Sequence, residues 1–98
     1  MNNKNNDKAA SDCFTLGQMV YSKAGRDKRR PFIITGIDGE YLFLADGNTR
    51  KLIKPKKKKK MHVQLTYYHL SEDDTNALVN GRLLDANIRR FLQCLRTI

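Results

Sequence analysis

Two basic stretches hold the side chains whose types and spacing point to chemistry. Lys23, Arg26, Lys28, Arg29 and Arg30 crowd the segment SKAGRDKRR around Gly25. Further on, KPKKKKK places six lysines in the seven residues Lys54–Lys60. Arginine offers a planar fork that matches phosphate oxygens, and lysine offers a mobile point charge. Glycine takes backbone angles closed to other residues, so a chain turning at Gly25 keeps its amides accessible. The chemistry expected of these residues is the binding of an anionic backbone. Asp27 interrupts the first run and is expected to orient Arg26 or Arg29 through a salt bridge. The lysine run repels itself and is expected to pack inside nothing. It reads as a solvated linker or as an electrostatic arm along a nucleic acid. Its position between two strand candidates favours the arm. Arg50 and Lys51, just past Asp46-Gly47, extend the same surface.

The distribution of charge supports that reading. The 98 residues carry a formal net charge of +9. Residues 1–13 and 70–98 are each neutral, whereas residues 14–69 hold thirteen Lys or Arg against four acids. Lysine added for solubility alone would not need to be confined to one segment. Basicity segregated in this way is the footprint of a polyanion binder. Tyr21, Tyr41, Tyr67 and Tyr68 could stack on unpaired bases. Most aromatics in so small a domain belong to the core, and only Tyr21, beside the basic loop, is taken as a stacking candidate.

Other functions find little in the chain. His62 and His69 have no cysteine or carboxylate near them at ligand spacing, so no metal site is expected. Neither a GxxxxGK[ST] loop nor a nucleophile elbow is present. The chain therefore reads as non-enzymatic, with no cofactor and no small-molecule substrate. Cys13 and Cys94 are too few and too far apart for a disulfide framework, which points to the reducing cytoplasm. The longest apolar run is Tyr41–Ala45, so no membrane span is expected.

The elements that must position these residues follow from pattern. The N-terminal stretch 1–13 is polar and is expected to be disordered. Strands are predicted over 16–21, 32–37, 40–44, 50–53 and 62–67. Asp38-Gly39 signals a hairpin turn of the I′ kind. Five short strands in about fifty residues predict a small, strongly bent barrel over 14–69. The period then changes over 70–98. Ser71 and Asp74 start a short helix that Asn80-Gly81 stops. Asp85 is expected to cap a second helix, on which Ile88, Phe91, Leu92 and Leu95 share one face. That stripe is expected to cover the barrel, with a partner groove as the sharper reading.

The stretch LGQMVYSKAGRDKRRPFIITGID resembles a KOW motif, an element of many ribosomal proteins and transcription-elongation factors. The carrying residues are Gly17, Val20, Ser22–Lys28 and Phe32–Ile34, followed by Asp46-Gly47 with Arg50 and by Lys54-Pro55 before the lysines. Over about residues 14–65 the chain is similar to small bacterial KOW-domain RNA-binding proteins, which resemble a KOW-containing large-subunit ribosomal protein of archaea and eukaryotes. The similarity continues more weakly into Asn87-Ile88-Arg89. Many KOW motifs place a glycine directly after the basic position, where this chain has Arg29. The resemblance implies an SH3-like barrel that binds structured RNA, of the ribosomal kind. The residues that would carry the binding are Lys23, Gly25, Arg26, Lys28, Arg29, Arg30, Arg50, Lys51, Lys54, Lys56, Lys57, Lys58, Lys59 and Lys60. Two other readings compete. In one, the barrel or the Ile88–Leu95 stripe docks a ribosomal protein or RNA polymerase. In the other, the lysines bind DNA without specificity.

Overall fold

The computed structural model describes residues 13–96. The expected disordered tail therefore lies outside the described residues, apart from Cys13. Strands β1 (Gln18–Ser22), β2 (Pro31–Asp38), β3 (Tyr41–Ala45), β4 (Lys56–Lys59) and β5 (Val63–His69) are followed by helices α1 (Glu72–Val79) and α2 (Asp85–Arg96). The chain is mainly β with a helical tail, as its patterning predicts. The strands form one antiparallel sheet in the order β4-β3-β2-β1-β5.

That order forces curvature. The edge strands β4 and β5 would lie about 19 Å apart in a flat sheet. A single 3₁₀ turn, Lys60–His62, connects them, and such a turn rises only about 6 Å. The sheet must curl until its edges approach. No ladder joins β4 to β5 among the described residues, so the bent sheet is not zipped shut. Backbone bonds from Lys23 N–H to the His62 carbonyl (2.8 Å) and from Lys60 N–H to the Glu40 carbonyl (2.8 Å) hold its corners. Two bulges supply bend. One falls in β2 between Ile34 and Gly36, where the Thr35 hydroxyl donates to the Phe43 carbonyl at 3.2 Å. The other lies where β1 meets β5; there Thr66 donates to the Met19 carbonyl at 2.6 Å and Gln18 donates to the Thr66 carbonyl at 3.0 Å. An extra residue in one strand bends and twists it locally.

Three local expectations are corrected. The β2–β3 turn centres on Gly39-Glu40, since Asp38 still pairs with Tyr41. Gly39 has φ 60°, and Glu40 does not share a positive φ, which is the II′ pattern rather than I′. The strand expected over 50–53 is a series of turns. Asp46 Oδ1 accepts from the N–H groups of Asn48 and Arg50 at 2.9 and 2.8 Å, so the chain is drawn back on itself. The fourth strand is instead the lysine run. Finally, Asp85 is not a cap but lies within the first turn of α2. Its carboxylate accepts from Leu52 N–H at 2.8 Å and ties the helix start to the 50–55 segment.

Both faces of the sheet are covered. Val20, Phe32, Ile34, Leu42, Leu44 and Val63 fill the concave side. Met19, Ile33 and Ala45 face the other way and pack against Leu70, Leu83, Ile88 and Leu92. Alternation along β1 and β2 produces this split, because successive side chains leave opposite faces of a strand. Ile88 is fully buried, and Phe91 and Leu95 pack beside it. The apolar stripe of α2 thus covers the sheet. Ser71 accepts from Asp74 N–H at 3.1 Å, and Gly81 at φ 72° ends α1, both as predicted. At Gly47, φ 78°, a Cβ would stand 2.4 Å from the Asp85 carbonyl oxygen. The start of α2 therefore rests directly on the Asp46–Arg50 turn.

Ile88→Ala should lower unfolding free energy by about 2–5 kcal/mol in chemical denaturation. Truncation after His69 should leave no cooperative transition, because Met19 and Ile33 would lose their cover. A truncated chain that melts like the full one would contradict this packing.

Candidate nucleic-acid interface

The β1–β2 loop is locked by its own backbone. Ser22 is buried, and its hydroxyl donates to the Ala24 carbonyl at 3.0 Å. Ser22 N–H bonds the Arg30 carbonyl at 3.1 Å, and Arg29 N–H bonds the Ser22 carbonyl at 2.7 Å. Lys28 N–H closes on the Gly25 carbonyl at 3.2 Å, and Arg30 N–H on that of Asp27 at 2.9 Å. Gly25 turns with φ 78°. Arg29, at φ 72°, is the one non-glycine residue with positive φ among those described. Arg29 thus stands in the conformation that glycine takes most readily.

Asp27 lies beneath this loop, only 6% exposed. It does not reach Arg26 or Arg29, as expected from their proximity in sequence. The turn carries its carboxylate under the loop, where Lys56 of β4 hydrogen-bonds it. Arg30 and Arg50 each stand 4.0 Å from it. Arg30 also stands 3.8 Å from Asp46. The hydrogen bond from Lys56 and the charges of Lys56, Arg50 and Lys58 hold the Asp27 carboxyl below the usual carboxylate range, against the opposing effect of burial. Lys58, 9% exposed, donates to the Ala24 carbonyl at 2.8 Å. Burial and then the charge of Lys56 push its ammonium pKa down, while Asp27 acts in the other direction.

The expectation that the lysines pack inside nothing is therefore corrected. In β4 they alternate. Lys56 and Lys58 point under the loop, where a carboxylate and a carbonyl satisfy them. Lys57 and Lys59 are exposed, and Lys57 Nζ sits 4.4 Å from the centre of the Tyr41 ring. Lys54 and Lys51 are exposed on the preceding turns, while Lys60 is half-buried in the 3₁₀ turn. Arg50 is half-buried too, its Nε enclosed without a hydrogen-bond partner. The fourteen candidate positions thus divide into an outward set and a set that braces the loop.

The outward set is concentrated. Lys23, Arg26, Lys28 and Arg29 are all exposed on the loop, and its sole acid is turned inward. A cleft of about 330 Å³ runs from Arg29 and Arg30 to Arg89 and Gln93 of α2. Arg89 is anchored there by donating to the Gly47 carbonyl at 2.6 Å. It was not among the sequence candidates, since residues 70–98 are neutral as a block and gave no charge signal. Tyr21, the stacking candidate, is 38% exposed beside the loop. Tyr67 and Tyr68 are exposed on β5, and Tyr41 lies under Lys57.

A scan against protein-family models and a search of curated proteins found no match to this chain. Among the described residues, no helix is long and apolar enough to cross a membrane.

Asp27→Asn should cost about 2 kcal/mol at pH 7, because it removes the common partner of three cations. Its folded-state pKa is depressed, so its contribution is complete above the ordinary value of about 3.9 and is lost as pH falls through the lower folded value. The stability gap between wild type and Asp27→Asn should therefore close below about pH 4 in denaturation measured across pH. A second test concerns Arg29. Arg29→Gly should hold or raise stability by up to about 1 kcal/mol, whereas Arg29→Val should lower it by at least that amount. Thermal melts of the two variants compare these directly.

Proposed function

We propose that the chain is a non-enzymatic, cytoplasmic RNA-binding protein of the KOW type, which grips the phosphate backbone of structured RNA with the β1–β2 loop. One observation carries this reading: the only carboxylate of the loop is buried beneath it, leaving Lys23, Arg26, Lys28 and Arg29 exposed on a hydrogen-bonded frame. An ion pair on the outer face would have neutralised that surface. Arg30 and Arg89 extend the cationic path along the cleft toward α2. Lys56 and Lys58 act as braces, so their part in binding is indirect. Phosphate contacts position a protein on RNA without reading bases, and recognition of a paired stem rests on shape and charge. The resemblance of SKAGRDK to KOW motifs favours RNA over DNA. Burial of Ile88 and Leu92 supports α2 as a cover of the sheet over the adaptor reading of its stripe.

With about five phosphate contacts, log affinity should fall against log salt with a slope of roughly −3.5 to −4.5. Lys28→Ala should lower affinity for every RNA alike and reduce the slope by about 0.7–0.9. Titrations at several salt concentrations measure both. A complex insensitive to salt would overturn the mechanism. Duplex DNA competing equally with structured RNA at matched salt would overturn the preference for RNA.

A further inference from the structure

Beside the loop, where Tyr21 of β1 and Gln64 of β5 are exposed, the surface carries a hollow that phosphate binding does not require. It measures about 510 Å³ and is lined by Tyr21, Ser22, Lys23, Lys28, Arg29 and Gln64, within the size range of small-ligand sites. Its wall is mainly apolar although three of the six residues are cations. That combination arises where an aromatic ring and aliphatic stems form the wall and charged heads stand at the rim. Tyr21 and Gln64 are direct partners in the β1–β5 register, so both side chains leave the same face about 5 Å apart. The Gln64 amide holds only a long bond, 3.3 Å, to the Leu65 carbonyl on the surface. It is placed to exchange that bond for another.

A flat aromatic surface, an adjacent amide and three cations at the rim fit one chemistry. An inorganic anion would need no apolar wall, and an apolar peptide side chain would need no cations. A base within a paired stem is stacked on its neighbours and cannot enter. We infer that the hollow receives one unpaired base of a bound RNA, stacked on Tyr21 and contacted at its edge by Gln64, with the flanking phosphates on Lys23, Lys28 and Arg29. This rests on the RNA-binding reading above and adds the kind of nucleotide the site selects.

The test uses the full chain and two blunt-ended RNA duplexes that are otherwise identical, one carrying a single bulged 2-aminopurine and one without the bulge. The bulged RNA should bind more tightly, and its fluorescence should be quenched on binding. Tyr21→Leu should weaken the bulged complex roughly five- to hundredfold and remove the quenching. The same variant should bind the plain duplex unchanged, which also shows that the loop remains folded. Tyr21→Phe should behave as wild type, and Gln64→Ala should weaken the bulged complex alone. Lys28→Ala should weaken both complexes equally. Equal wild-type affinity for the two duplexes, or Tyr21→Leu affecting both alike or neither, would overturn the base site and leave phosphate binding standing. Failure of wild type to bind either RNA would overturn both.

Discussion

The buried carboxylate of Asp27 is the point on which this architecture turns. One acid draws Lys56 from β4, Arg30 from the end of its own loop and Arg50 from the segment between β3 and β4. Three separate parts of the chain are thereby held at one end of the bent sheet. A charge so placed needs partners, since burying it alone would cost far more than its attraction to any single cation could return. The hydrogen bond from Lys56, together with the charges of Lys56, Arg50 and Lys58, meets that requirement and keeps the carboxyl ionised. The same arrangement gives the loop its polarity. Negative charge faces inward and positive charge faces outward, although acid and bases alternate within a few residues.

The lysine strand is the other half of that arrangement. A run of lysines is a poor strand former by composition, and repulsion among its members opposes order. Two features make it a strand here. Its backbone completes the ladder of β3, from Tyr41 opposite Lys59 to Leu44 opposite Lys56. Its inward-facing members meet Asp27 and the Ala24 carbonyl. As an edge strand rich in lysine, β4 also discourages pairing with another chain. Lys56 and Lys58 therefore serve the fold, and the exposed cations of the loop serve its surface.

Much of the framework was legible because local chemistry and tertiary packing agree. The run Phe32–Ile37, rich in β-branched residues, the Ser71 cap and the Ile88–Leu95 stripe each carry a pattern that only one kind of element satisfies. The segment 50–53 was misread as a strand because Asp46, whose side chain captures backbone amides at Asn48 and Arg50, turns the chain there instead. Asp85 looked like a cap because of its position, yet its carboxylate is taken by Leu52, thirty-three residues earlier in the chain. Gln64 carried no signal at all, and Arg89 carried only the weak resemblance of Asn87-Ile88-Arg89. An arginine on an amphipathic helix and a glutamine on a strand are ordinary surface residues until the fold brings a basic loop or a tyrosine beside them.

The sequence by itself determined the succession of strands followed by helices, the confinement of net charge to residues 14–69 and the glycine-turned basic loop, because each is written in local composition and spacing, whereas the place of the fourth strand was not. Only the tertiary structure decided which cations face solvent. In a run of identical lysines the two-residue period of a strand leaves no trace, so nothing in KKKK distinguishes Lys56 and Lys58 from Lys57 and Lys59. The partner that makes the distinction, Asp27, lies about thirty residues away in the chain and acts only once β4 and the β1–β2 loop have been folded against each other.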